Sequence, residues 1–318
     1  MLPLGYIRDP RKQTRETRAK KALELLSHLE NIDSSYSETH AEARWNTWKD
    51  FHRQMTQALD LPTLQQFQAN EKIAPQICGG GGDTYLERLR LRFGESTLSF
   101  FLSTYCETLC GDPQDLTSVQ GCYITRTAMR HLYHLAVLHN FCKQYYSAPV
   151  DFIEIGGGFG NLVRLVTQFS LANRYFSIDY PALLCIQYYC LTEFFDEQSV
   201  AVWTGHEYLT GSAESKICLV TPDAAPDVSR LLTKPAVMVS TMAMTEMPPA
   251  GQQYYLDNLN VDAIYVFGQT RTTALPLSGN ASGKEISNKE LFQALAGMCH
   301  TVDFCHGDYY SEFLGLVI

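Results

Sequence analysis

The chain has 318 residues, a net charge of −9 at pH 7 and a pI near 5.5. Apolar residues make up 45% and charged residues 19%, which predicts a globular protein with a buried core. The acidic balance excludes a general affinity for nucleic acid, because a phosphate-binding surface shows as a basic stripe. Basic residues cluster only between Arg8 and Lys21, and their alternation with Glu16 favours a solvated helical face or a frayed terminus over a recruiting arm.

The chain lacks the patterns of membrane, secreted and metal-binding proteins. No apolar run approaches the roughly eighteen residues of a membrane span, and the N-terminus has no apolar core suited to a secretion signal. We therefore expect a cytoplasmic protein without a membrane partner. The ten cysteines form no Cys-x-x-Cys pair, so we expect buried reduced thiols and no metal site.

Before residue 150 the apolar residues recur at helical spacing. The pattern predicts helices within 19–29, 98–109 and 127–141. Four consecutive glycines interrupt the pattern between Cys78 and Asp83, without the preceding strand or the lysine and serine of a phosphate loop. We interpret this segment as a hinge or tight turn. Residues 1–149 are therefore expected to form a helical region.

From residue 150 onward, strands and helices alternate. Strands are predicted at 151–156, 174–179, 216–221, 235–241 and 263–268, with a lesser extended segment at 200–204. Their continuous apolar character is typical of parallel strands that are covered on both faces. We expect an α/β domain over residues 150–318.

The most informative stretch is 151–160, Asp-Phe-Ile-Glu-Ile-Gly-Gly-Gly-Phe-Gly. A short apolar strand runs into a turn where Gly156, Gly158 and Gly160 let the backbone approach a ligand, and a helix follows. The dinucleotide fingerprint G-x-G-x-x-G would need its third glycine where this chain has Asn161. The spacing here is G-x-G-x-G.

With Glu154 ahead of the turn, the string E-x-G-x-G-x-G resembles the first motif of class I S-adenosylmethionine-dependent methyltransferases. A second acid, Asp179, ends the predicted strand 174–179, and a carboxylate there can accept both hydroxyls of an adenosine ribose. Pro181 suits the first turn of the next helix, which leaves Asp179 at the carboxyl end of the sheet, where ligands bind in open α/β folds. The alternative is that Asp179 only caps that helix.

Two further segments narrow the resemblance to the sugar O-methyltransferases of bacterial polysaccharide and natural-product clusters. They are Asp179-Tyr180-Pro181 with Gln187-Tyr188-Tyr189-Cys190-Leu191, and the run Ser240 to Pro248. In that family an Asp-Leu-Pro turn precedes a Gln-x-Tyr-Tyr-Leu helix, and Ser-Met-x-Glu-Met follows the fourth strand. The similarity covers roughly residues 120–270; Tyr180 replaces the leucine, and Ala243 to Thr245 change the second segment.

The resemblance implies a Rossmann-like fold with a mostly parallel seven-stranded sheet, closed by an antiparallel pair within 300–318. It implies an enzyme that uses S-adenosylmethionine to methylate a hydroxyl of a small, sugar-containing acceptor. Residues 1–149 would then shape the substrate pocket as a lid, and they are also a candidate dimer interface. The cofactor-binding residues that we expect are Glu154, Gly156, Gly157, Gly158, Phe159, Asp179, Tyr180, Asp223 and Thr241.

A hydroxyl acceptor needs a base, and three residues are candidates. Glu246 follows the fourth predicted strand, although it could equally stabilise a helix start. His206 lies in a predicted loop, where a surface histidine is the alternative. His134 shares one face of a predicted helix with His131 and would line the pocket from the helical region, unless both belong to the core.

Other functions stay open at this point. A nicotinamide-dependent oxidoreductase is disfavoured because the third glycine and a Tyr-x-x-x-Lys pair are absent from the sequence. A non-catalytic binding protein of the same fold is a further alternative, since fold does not imply activity. A non-sugar natural product, methylated on oxygen, nitrogen or carbon, also remains open as the acceptor.

Overall fold

A computed structural model describes residues 14–33, 52–79, 82–273, 285–306 and 310–318. Its α-helices are α1 (Arg15–Asp33), α2 (Leu61–Gln65), α3 (Ala74–Ile77), α4 (Gly82–Phe93), α5 (Glu95–Thr104), α6 (Arg126–Tyr145), α7 (Asn161–Gln168), α8 (Pro181–Leu191), α9 (Ala225–Val228), α10 (Ala243–Glu246), α11 (Pro249–Asn258) and α12 (Lys289–Met298). Residues 52–58 are also helical.

The strands are β1 (Thr117–Val119), β2 (Cys122–Ile124), β3 (Val150–Ile155), β4 (Ala172–Ile178), β5 (Val200–Trp203), β6 (Tyr208–Thr210), β7 (Ile217–Val220), β8 (Ala236–Thr241), β9 (Ala263–Gln269), β10 (Arg271–Thr273), β11 (Glu285–Ser287), β12 (Cys299–His306) and β13 (Tyr310–Val317). Nine of them form one sheet in the order β12-β13-β9-β8-β3-β4-β7-β5-β6. The strands from β9 to β5 are parallel, and β13 runs antiparallel between β9 and β12.

This sheet confirms the predicted Rossmann-like α/β fold, including the antiparallel pair at the C-terminal end. The strand count was wrong: the sheet has nine strands rather than seven. The two additional strands are β5 and β6, which pair with each other at the edge beyond β7. All four residues of β5 are buried, so this segment joins the sheet as a full strand.

The central strands are buried on both faces, as their unbroken apolar sequence predicts. Phe152 of β3 belongs to one hydrophobic cluster together with Leu132 of α6. Ile153, the next residue, faces the opposite cluster, which α9, α11 and α12 cover. The helical region before residue 150 therefore shares a core with the sheet. The division into 1–149 and 150–318 stays a prediction.

The basic N-terminal helix has one packed face and one solvated face. Arg18 is buried and lies over the ring of Tyr189, with its guanidinium carbon 5.9 Å from the centroid. Arg15 is exposed, although its Nε donates to the hydroxyl of Tyr189 at 2.8 Å, and Lys21 forms an ion pair with Glu197. The interpretation as a solvated face was therefore wrong for Arg18, because α1 packs along α8. Residues 1–13 lie outside the described residues.

The helix predicted over 98–109 was too long. It ends at Thr104, and Tyr105 is extended. A short hairpin, β1–β2, follows within the region that was predicted to be helical. Its turn residues, Gln120 and Gly121, both have positive φ (50° and 80°), which is the backbone of a tight hairpin turn.

All ten cysteines are free thiols, and six of them are buried. Across the described ranges, no helix has the length and apolarity to cross a membrane. In that same part of the chain, no group of three or more His, Cys, Asp or Glu side chains is placed to hold a metal ion.

Candidate cofactor and acceptor site

The backbone of the glycine turn after β3 has φ angles that residues with a Cβ rarely adopt. Gly156, Gly158 and Gly160 have φ values of +77°, +58° and +82°. Gly160 is left-handed immediately before α7, and its N–H donates to the carbonyl of Gly157 at 2.9 Å. L-residues with a Cβ rarely adopt these angles, so glycine is required at these positions.

Two of these glycines also make room for neighbouring segments. A Cβ on Gly156 would overlap the Cβ of Ala243 in α10. A Cβ on Gly157 would overlap Ser177 Oγ and lie 3.2 Å from Glu154 Oε2. The turn is therefore packed between α10 and the ends of β3 and β4, with its backbone at the carboxyl edge of the sheet.

Asp179 follows β4 at the same edge, and its carboxylate accepts hydrogen bonds from three N–H groups. Oδ2 accepts from Gly158 N at 3.2 Å and from Gln187 Nε2 at 3.0 Å, while Oδ1 accepts from Tyr180 N at 2.9 Å. Burial raises the pKa of Asp179 to about 7, although these hydrogen bonds oppose the shift. A carboxylate has about four acceptor positions, so Oδ1 retains capacity for a ligand hydroxyl.

Glu154 lies beneath the turn, on β3, and only 1% of its surface is exposed. Its Oε2 accepts from the hydroxyl of Tyr175 at 3.0 Å. Burial raises the pKa of Glu154 to about 8; the tyrosine hydrogen bond lowers it, and nearby Asp179 raises it further. Glu154 is thus placed to support the turn as a buried neutral carboxyl near neutral pH.

The site retains polar atoms that lack partners. Ser177 Oγ, Gln187 Oε1 and Thr221 Oγ1 are buried and form no hydrogen bond with any described residue. Buried polar groups are normally satisfied, so such atoms at one sheet edge indicate a ligand or water. Glycine backbone, a carboxylate and neutral polar groups suit the adenosine part of S-adenosylmethionine.

The remaining predicted cofactor residues lie along this edge. Tyr180 stacks on His52, with ring centroids 3.9 Å apart, so the helical segment 52–58 covers the turn after β4. Burial lowers the pKa of His52 to about 3, which keeps this covering ring neutral. Asp223 is exposed in a short turn after β7, the strand that pairs with β4, and Thr241 is the buried last residue of β8.

Phe159 points away from the sheet edge. Its ring is 2% exposed and lies 5.7 Å from Phe67 and 6.2 Å from His131, measured between centroids. His131 in turn contacts Asn161 at 3.0 Å, at the start of α7. Phe159, which we expected to bind the cofactor, therefore packs between the turn and the helical region.

Residues 240–246 fold tightly over the glycine turn. Ser240 Oγ donates to Ile155 O at 3.2 Å and accepts from Met244 N at 3.0 Å. Met242 has a φ of +96°, and its N–H donates to Phe267 O. Backbone strain of this kind costs on the order of 1–3 kcal/mol and is found mainly at functional sites. The strained backbone at Met242 lies immediately before α10, the helix that carries Glu246, and sets its direction.

Glu246 is partly buried, one helical turn after the alanine that touches Gly156. Burial raises the pKa of Glu246 to about 7, and the positive charge of Arg130 opposes that shift. A carboxyl group with this pKa can accept a proton near neutral pH. Glu246 ends the short helix whose first residue, Ala243, packs against Gly156.

The two histidine candidates lie elsewhere. His134 is buried: its Nδ1 is 2.7 Å from the hydroxyl of Tyr265, and its ring packs against Phe267. Burial lowers its pKa well below the ordinary value, while its Nε2 has no hydrogen-bond partner among the described residues. His206 is exposed after β5, four strand positions from β8, or about 19 Å at the usual strand spacing. His206 and Glu246 do not share one site.

Sequence reasoning missed the contributions of His52 and Gln187 to the site. Gln187 was noted only as part of a family motif, yet it donates directly to Asp179. Nothing in the sequence around His52 indicated its stacking on Tyr180. These contacts form only when the chain folds and the segments are brought together at the sheet edge, so local sequence patterns do not indicate them.

No family model matches the chain, and no curated protein matches it. The magnesium protoporphyrin IX methyltransferase of Synechocystis PCC 6803, solved with bound SAH, is 10% identical with a TM-score of 0.41, over 74% of this chain and 100% of that one. An rRNA methylase from Escherichia coli is 12% identical with a TM-score of 0.38, over 94% and 100%. TrmK of M. capricolum, solved with S-adenosyl-homocysteine, is 10% identical with a TM-score of 0.36, over 57% and 67%.

Proposed function

We propose that this chain is an S-adenosylmethionine-dependent methyltransferase that methylates a hydroxyl group of a small, sugar-containing acceptor. One observation carries the proposal: Gly158 N of the glycine turn donates to Asp179 Oδ2 at 3.2 Å, at the carboxyl edge of a parallel sheet. This contact joins a ligand-binding backbone to a carboxylate suited to ribose hydroxyls.

The acidity around the turn supports this cofactor over a dinucleotide. Asp179 is buried beside the turn, and its ionised form raises the cost of a further negative charge there. A pyrophosphate would bring two such charges. The adenosine of S-adenosylmethionine is neutral and its sulfonium is positive, so the ionised carboxylate favours it.

Bound S-adenosylmethionine supplies a methyl group activated by its positive sulfur. Asp179 would accept ribose hydroxyls, the backbone of Gly156 to Gly158 would line the amino-acid portion, and Asp223 would border the adenine. Glu246 would hold the acceptor hydroxyl and take its proton. Positioning of the nucleophile supplies most of the acceleration in such a displacement, and a base adds about 10²- to 10⁴-fold.

The sugar part of the proposal rests on the segment Ser240 to Pro248 and its resemblance to sugar O-methyltransferases. Ser240 and Glu246, which the resemblance shares, lie in β8 and at the end of α10. Ser240 bonds β3 to α10, and Glu246 ends the helix that this bond anchors. In this proposal Ser240 has a structural role in the motif, and Glu246 has the chemical role.

The test is a transfer assay. Purified protein is incubated with S-adenosylmethionine and, separately, with free sugars, nucleotide-linked sugars and glycosylated metabolites, and S-adenosylhomocysteine and the methylated product are measured by mass spectrometry. We expect transfer to at least one sugar hydroxyl, reduced in Glu246→Gln and unchanged in Glu290→Gln, an exposed glutamate of α12. Transfer only to nitrogen, to carbon or to sugar-free compounds would refute the acceptor assignment.

A further inference from the structure

Among the described residues, Arg130 has no hydrogen-bond or ion-pair partner. It lies near the start of α6 and is partly buried, and its Nε is buried without a hydrogen-bond acceptor. Within the described ranges Arg130 forms no ion pair. A guanidinium stays charged at all ordinary pH values, and burying it unpaired is costly. An arginine in this state indicates that an acceptor group is missing.

The neighbouring backbone leaves space for the guanidinium. A Cβ on Gly79 would overlap Arg130 Nη1 and lie 2.6 Å from its Cζ. Thr127, one turn earlier on α6, donates to Gly79 O at 3.3 Å and fixes this segment against the helix. The absence of a side chain at Gly79 therefore leaves the space that the guanidinium of Arg130 occupies.

The same segment reaches the glycine turn. The carbonyl of Ile77, two residues before Gly79, would lie 3.8 Å from a Cβ on Gly158. Residues 77–79 therefore run from the proposed cofactor turn to the guanidinium of Arg130. This continuity places Arg130 at the border between the helical region and the sheet edge.

Glu246 is close enough to Arg130 for the arginine's charge to lower the pKa of Glu246, which burial raises, yet the two side chains form no salt bridge. Arg130 therefore remains available, between the glycine turn and the proposed base, for a negative group of a ligand. The planar guanidinium fork fits a carboxylate with two parallel hydrogen bonds.

We propose that Arg130 binds a ligand carboxylate between the glycine turn and Glu246. The inference rests on the proposed function, which provides two sources for that group. One is the amino-acid carboxylate of the cofactor, and the other is an acidic acceptor such as a uronic acid.

The first experiment tests the cofactor source. Wild type, Arg130→Gln, Arg130→Lys and Arg126→Gln are titrated calorimetrically with S-adenosylhomocysteine and with methylthioadenosine, which lacks the amino-acid carboxylate. If the cofactor supplies the group, Arg130→Gln weakens S-adenosylhomocysteine binding about ten- to hundredfold and leaves methylthioadenosine binding unchanged. Arg130→Lys retains part of the affinity. Arg126→Gln, an exposed position on the same helix, behaves as wild type. Equal losses for both ligands would overturn the proposal, because they would indicate a structural defect.

The second experiment applies if Arg130→Gln leaves both affinities unchanged. Wild type is given methyl-labelled S-adenosylmethionine and the small-molecule fraction of an extract from its source cells, and labelled product is run on an anion-exchange column at neutral pH. Retention of the labelled product on the column shows that it is acidic. The acceptor is then the source of the carboxylate if the KM for this acceptor rises about tenfold or more in Arg130→Gln. A neutral product, or none, overturns the proposal. Failure of the proposed function is recognised separately, since wild type would then not bind S-adenosylhomocysteine.

Discussion

The backbone N–H of Gly158 donates to Oδ2 of Asp179 at 3.2 Å. The contact ties the turn after β3 to the carboxylate after β4, and Gln187 of α8 donates to the same oxygen at 3.0 Å. Three segments thus fix one carboxylate before any ligand arrives. Preorganisation of this kind lowers the cost of binding, because fewer groups must be ordered by the ligand.

Replacing Asp179 tests its role directly. Asp179→Asn replaces one carboxylate oxygen with an NH2 group that faces N–H donors and cannot accept a ribose hydroxyl. We expect the affinity for S-adenosylhomocysteine, measured by calorimetry, to fall about ten- to hundredfold. The matched control is Asp227→Asn, at a surface carboxylate that pairs with Arg230 at 2.6 Å. An unchanged affinity in Asp179→Asn would show that the carboxylate only caps α8.

Alanine at the glycine turn should destabilise the protein through close contacts. In Gly156→Ala the new Cβ overlaps Ala243, and the φ of +77° adds strain. We expect a loss of about 1–3 kcal/mol in the free energy of unfolding, measured with urea. Gly297→Ala in α12 is the control, since its Cβ meets nothing within 4 Å. Because alanine favours helices, that variant should be neutral or up to about 1 kcal/mol more stable.

The steric part of this effect can be separated from the strain. The double variant Gly156→Ala with Ala243→Gly removes the Cβ against which the new methyl collides. We expect it to recover part of the stability relative to Gly156→Ala combined with Ala69→Gly, which removes a Cβ elsewhere. No recovery would mean that the backbone angle, and not the contact with α10, dominates.

The buried Glu154 should make stability depend on pH. Burial raises its pKa from the ordinary 4.5 to about 8, so the folded state keeps a proton that the unfolded chain loses. The stabilisation is therefore fully present below pH 4.5 and is lost as the pH rises through about 8. Glu154→Gln should gain stability relative to wild type between about pH 5 and about pH 8.5 in urea unfolding. Glu290→Gln should follow wild type, and a constant difference for Glu154→Gln would contradict the buried neutral carboxyl.

If Glu246 is the base, the reaction should follow its ionisation. With a pKa raised to about 7, Glu246 is deprotonated only at higher pH, so kcat/KM should rise with pH and level off above about 7. Glu246→Gln should lower kcat about 10²- to 10⁴-fold and remove this dependence. His206→Gln, exposed beyond β5, should leave the profile unchanged. Loss of the profile in His206→Gln, with Glu246→Gln active, would reverse the assignment.

Residues with local signals were predictable from the sequence. The strands β3, β4, β7, β8 and β9 follow from short apolar runs, and the turn from its glycines. Each of these signals depends on a few consecutive residues. Asp179 was predictable for the same reason, because a carboxylate that follows a buried strand must lie at the sheet edge.

Contacts between distant segments were not predictable. The stacking of His52 on Tyr180 and the hydrogen bond from Arg15 to Tyr189 join residues more than a hundred positions apart. The hairpin at Gln120 and Gly121 was missed for a different reason: its strands are only three residues long and carry no clear alternation. Local patterns therefore indicate the cofactor class, whereas the acceptor side depends on how the helical region packs.

The measurement that tests the central claim most directly is calorimetric titration of the purified wild-type protein with S-adenosylhomocysteine and with NAD. The acidic glycine turn beside Asp179 predicts saturable binding of S-adenosylhomocysteine at one site per chain and no binding of NAD. Tight binding of NAD without binding of S-adenosylhomocysteine would contradict the assignment of this site.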